Sequence, residues 1–105
     1  MNTQELIVRD FALETPDREF TEEELLQYLA DVIAHMIERK PDFLFSLLYR
    51  LDVEEHKINL ALAPTAGEPA NVGLARLVLE RQKQRVFTKQ FYKTEKLDDL
   101  GDLAW

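Results

Sequence analysis

The sequence predicts an all-α fold, a small bundle of four to five helices around a central apolar helix at residues 43–51. Three observations carry that expectation. Within Phe43–Leu51 only Ser46 and Arg50 are strongly polar, so a helix there would be apolar nearly all round and would ask to be enclosed. Thr21 and Glu24 form a T-x-x-E capping box ahead of a long amphipathic run. No pair of strongly alternating segments offers itself as two partner strands.

Taken in order, residues 3–14 are ambiguous in period. Leu6, Ile7, Phe11 and Leu13 settle on no single repeat, and a short helix is preferred over a strand because a lone strand lacks a partner. Thr15-Pro16-Asp17 breaks the chain, since the residue before a proline disfavours helix. Beyond the Thr21 cap, Leu25, Leu29, Val32 and Met36 repeat at helical spacing. Phe20 and Leu25 stand at the staple positions. Glu22, Glu23 and Glu24 complement the positive end of this helix, and Arg39 and Lys40 the negative end. Pro41 both stops it and suits the first position of the next, giving a tight corner.

A kink or second corner is expected at Arg50-Leu51-Asp52, with Asp52 and Glu55 repeating the capping-box spacing before a short helix over residues 53–62. The alternative there is a strand over residues 58–62. Residues 63–70, APTAGEPA, form the clear long loop. Asn71 is the expected N-cap of a last long helix running to about Tyr92. Residues 1–93 are thus expected to form a single helical domain, and residues 94–105 an acidic tail that docks on it or stays free.

Charge is segregated beneath a net −7. Residues 1–62 carry 14 acids against 6 bases, residues 63–93 carry 2 against 6, and residues 94–105 carry 4 against 1. Overall acidity disfavours nonspecific nucleic-acid binding, while complementarity between acidic and basic elements of the same chain accounts for the segregation most simply. No cysteine is present, which excludes disulfides, zinc–thiolate sites and cysteine nucleophiles. Residues 1–14 lack a basic start followed by an apolar run, and no stretch reaches membrane-spanning length, so a cytoplasmic protein is expected.

The last helix holds the informative irregularity. Leu74, Leu77 and Val78 define an apolar seam that continues into Arg81 and Arg85, which lie within roughly 20° of the Leu74 direction on a 3.6-residue helix. Either this half-helix outruns the bundle, with Phe87 and Phe91 as a separate contact face, or the two arginines face an interface or cleft and bind carboxylates or phosphates. Basic residues interleaved with aromatics, among them Arg76, Lys83, Lys89 and Tyr92, also suit single-stranded nucleic acid, although no recognised nucleic-acid motif accompanies them.

Catalytic chemistry has little to recruit. Ser46 is the only serine and lies in the most apolar stretch. Asp31 precedes His35 by four residues and Asp52 precedes His56 by four, a spacing that places each pair on one helix face, but ordinary surface histidines are the expectation. Arg50 is expected to snorkel or to pair with Asp52 or Glu54. No catalytic residue, cofactor or metal is expected. The sequence supports a protein-interaction or regulatory domain binding a partner protein or a second copy of itself. The candidate contact residues are Arg81, Arg85, Lys89, Phe87, Phe91, Tyr92 and Trp105. Nucleic acid through residues 76–93 is one alternative, and a helical protein that binds a small molecule or metal is the other.

Overall fold

The computed structural model describes residues 2–98, with side chains through Phe87. Five helices occupy them, α1 (Thr3–Asp10), α2 (Glu22–Arg39), α3 (Pro41–Arg50), α4 (Glu55–Leu62) and α5 (Ala70–Asp98), with no strand among the described residues. The all-α bundle of the sequence reading is therefore the fold. Residues 3–14 begin as a helix, and residues 58–62 belong to α4, so neither strand alternative is realised. No helix of the described residues is long and apolar enough to cross a membrane.

The starts of α1 and α2, the α2–α3 corner and the ends of α1 and α3 have identifiable causes. At α1, Asn2 and Glu5 make a reciprocal capping box: the Glu5 N–H donates to Asn2 Oδ1 at 2.8 Å, and the Asn2 N–H donates to Glu5 Oε1 at 3.3 Å. At α2 the expected box forms between Thr21 and Glu24. The staple residues follow, with Leu25 buried and Phe20 partly so. Phe20 also meets Tyr28 edge-on at 5.4 Å and carries the Arg18 guanidinium 5.1 Å above its ring. Pro41 opens α3 directly after Lys40, the single residue separating it from α2.

α1 and α3 end alike. The Leu13 N–H donates to Val8 O and the Ala12 N–H to Arg9 O. After α3, the Val53 N–H donates to Leu48 O and the Asp52 N–H to Tyr49 O. Both are Schellman closures, which place the residue just past the C-cap in the left-handed region. That residue is Ala12 at φ 53° in one and Asp52 at φ 67° in the other, where glycine is usual. This corrects the expectation that Asp52 starts α4. Glu54 is the N-cap of α4 and makes no side-chain capping bond, because Asp52 is spent turning the chain out of α3.

The core corrects the sequence reading in one respect. The helix expected at the centre, residues 43–51, buries Leu44, Leu47, Leu48 and Leu51 but leaves Phe43 52% and Tyr49 54% exposed. Its leucines fall on one stripe at three- and four-residue steps, and that stripe packs on α2. The hub is α5, which packs against α1, α2 and α4. It places Leu74, Ala75, Val78 and Leu79 in the same cluster as Ile7, Leu29, Ile33, Leu44, Leu48 and Ile58. A second correction concerns Asn71. It lies inside α5 rather than capping it, and its Nδ2 donates to Ala30 O of α2 at 3.1 Å. Gly73 has a positional role: a Cβ there would stand 3.2 Å from Ala61 Cβ, so two small residues set the close approach of α5 to α4. α5 also runs past its expected end near Tyr92 to Asp98, so the boundary drawn between residues 93 and 94 falls within a helix.

Candidate protein-interaction surface

The arginines that interrupt the α5 seam are explained by what they reach. Arg81 donates from Nε to Leu51 O at 3.2 Å and from a terminal nitrogen to Asp52 Oδ2 at 3.4 Å. It thereby sits on the C-cap carbonyl of α3, where a cation complements the helix dipole. Arg85 reaches the C-terminal residue of α1, donating to Asp10 Oδ2 at 3.3 Å and to Gln82 Oε1 at 2.9 Å. Gln82, fully buried, donates from Nε2 to the same Asp10 oxygen at 2.7 Å. The seam turns polar halfway along α5 because there it meets the ends of two helices, whose backbone and terminal acid need donors, instead of a second aliphatic face.

The remaining described bases of α5 are paired too. Arg76 bridges to Glu68 at 3.1 Å and Lys83 to Glu22 at 2.7 Å. Each of Arg76, Arg81, Lys83 and Arg85 therefore has an acid of the same chain beside it, and three of the four acids come from the acidic first 62 residues. Arg81 and Arg85, expected as partner contacts, are engaged by carboxylates of their own chain. Among the other candidate contact residues, Phe87 is 69% exposed. The side chains of Lys89, Phe91 and Tyr92, and all of Trp105 and residues 99–105, lie outside the described part, as does any docking of the tail there.

Elsewhere the surface is ordinary. His35, His56, Ser46 and Arg50 are exposed, and Arg50 makes no ion pair among the described residues. No group of three or more metal-ligating side chains occurs among them. Arg18 forms a two-pronged pair with Glu24. This pair, together with the Thr21 N–H, holds the Glu24 carboxyl at about 2, well below the usual carboxylate range.

An extended concavity runs along the α2–α5 seam. The helices are antiparallel there, since Asn71 meets Ala30 at one end and Lys83 meets Glu22 at the other. On α5, Val72, Arg76, Leu79 and Lys83 line it at four-, three- and four-residue steps; on α2, Glu23, Leu26 and Ala30 do so. The section lined by Glu23, Leu26, Arg76, Leu79 and Glu80, next to the Glu22–Lys83 pair, has a volume of about 540 Å³. From residue 72 to residue 83 the groove follows α5 for about 16 Å, three helical turns. Neither helix alone announces it in sequence, because each contributes only a partial stripe beside its core face. Comparisons with protein-family models, with curated proteins and with solved structures returned no match.

Proposed function

We propose that this chain is a small protein-interaction or regulatory domain that engages a partner protein along α5, through the open seam this helix makes with α2. The observation that carries the proposal is the seam itself, a groove three turns long whose walls are two packed helices and whose floor is apolar at Leu26 and Leu79. A groove between two rigid helices suits an added structural element of a partner better than a small molecule, which requires deeper enclosure. The internal pairing of Arg76, Arg81, Lys83 and Arg85 weighs against nucleic acid, because cations already neutralised by carboxylates release few counterions on meeting phosphate.

The test is capture from the native host with the tagged chain, washed at low and moderate salt, with and without nuclease, beside the variant Leu26→Arg. The expected result is a salt-resistant protein retained near stoichiometrically by the wild-type chain and lost from the variant. Material that disappears with nuclease or salt would replace this reading with nucleic-acid binding. A protein retained equally by both would move the contact away from the seam.

A further inference from the structure

The seam also specifies the chemistry of its occupant, an inference that rests on the protein-interaction reading above. Ion pairing among its lining residues is uneven. Lys83 is held by Glu22 and Arg76 by Glu68, which leaves two lining carboxylates, Glu23 on the α2 wall and Glu80 on the α5 wall, without an ion-pair partner among the described residues. One unpaired acid therefore stands on each side of the apolar floor formed by Leu26 and Leu79. We infer that the groove receives an amphipathic helix of a partner protein, with a leucine-type stripe flanked on both sides by lysine or arginine.

Three features favour this occupant. A helix laid between two others buries its apolar stripe on the floor and presents its flanking positions to the walls, which is how grooves read helices. The 16 Å length along α5 matches about 11 residues of such a helix. With Arg76 and Lys83 of the lining already paired to Glu68 and Glu22, the acids left open on both walls favour bases at both flanks and oppose acids. A second copy of this chain fits poorly, because each copy brings a net charge of −7 to an already acidic groove.

The test uses the full chain and two synthetic probes of about 14 residues. Both carry the same leucine stripe, one flanked by lysines and the other by glutamates. Amide chemical shifts of the isotope-labelled chain locate binding, and titration gives affinity. The lysine peptide is expected to bind at least about tenfold more tightly than the glutamate peptide, with shifts concentrated at Glu23, Leu26, Leu79 and Glu80. The double variant Glu23→Lys/Glu80→Lys changes only exposed positions and is expected to reverse that order.

Absence of binding by either peptide, shifts centred on other acidic segments, or an unreversed preference in the double variant would overturn the inference. So would a monomer–dimer equilibrium abolished by the same two substitutions, which would assign the groove to a second copy. If the protein captured from the host stays bound to the double variant but is lost from Leu26→Arg, the seam still binds a partner and only the basic-helix assignment fails.

Discussion

Removing the Asp10 carboxylate, by Asp10→Ala, should cost far more than its place at the end of a short helix suggests. The group accepts from the fully buried Gln82 Nε2 and from Arg85. Without it, the Gln82 amide keeps a donor sealed from water, a penalty of about 1–3 kcal/mol. The Arg85 pair, with its guanidinium side chain 35% exposed, adds at most about 1 kcal/mol. Relief of an acid at a helix C-terminus returns a few tenths, on the order of 0.3 kcal/mol. The expected net loss is about 1–4 kcal/mol, read in urea as a midpoint lowered by roughly 1–2 M with an unchanged slope. Gln82→Leu, which removes donor and acceptor together and leaves Asp10 with Arg85, should cost about 1 kcal/mol or less. The double variant should then be more stable than Asp10→Ala alone, a coupling of at least about 1 kcal/mol. If Asp10→Ala lies within about 0.5 kcal/mol of the parent, or if Gln82→Leu is the worse of the two, the network does not hold α1 to α5 as argued.

The other expectations concern caps, contacts and acid. Ala12→Gly relieves a left-handed residue at the end of α1 and should stabilise the chain by about 0.5–1 kcal/mol in the same denaturation assay; destabilisation would contradict the turn geometry. Thr21→Ala removes the side-chain acceptor of the Glu24 N–H and should cost about 1 kcal/mol. Gly73→Val forces branched atoms toward Ala61 and should cost about 1–3 kcal/mol through overpacking, with chemical-shift changes centred on α4. The Glu24 carboxyl, lowered to about 2 by its pairing with Arg18 and by the Thr21 N–H, contributes stability above its unfolded value near 4.5. That contribution is lost as pH falls toward 2. Glu24→Gln should therefore flatten the acid dependence of the urea midpoint between those limits, and an unaltered slope would contradict it.

The contrast between what could and could not be read in the sequence follows from the range of the interactions. The start of α2 was legible because Thr21, Glu24 and the leucine stripe lie within a few turns of one another, and Pro41 marks the α2–α3 corner by its own geometry. The Asn2–Glu5 box carries the same kind of signal, an N-x-x-E spacing, and was open to the same logic. The Schellman closures were hidden because Ala12 and Asp52 stand where glycine would have announced them. The apolar density of residues 43–51 indicated burial but not direction: the leucines turn inward, while Phe43 and Tyr49 stay half exposed. Arg81 and Arg85 were visible as an anomaly, yet their partners Leu51 and Asp10 are 30 and 75 residues away. The α2–α5 groove needs two segments brought side by side, and no local pattern encodes it.

That the hub is the last of the five helices bears on how the chain acquires its structure during synthesis. Until α5 has been made, α2 and α3 can pack on each other, but the faces of α1, α2 and α4 that α5 covers have nothing to close against, and Asp10 waits for a glutamine 72 residues later. A chain halted before residue 70 would display the leucines and isoleucines of the core to its surroundings, the condition in which nascent polypeptides associate wrongly or recruit chaperones. Closure of the core thus waits for α5, the one helix that docks on α1, α2 and α4 together.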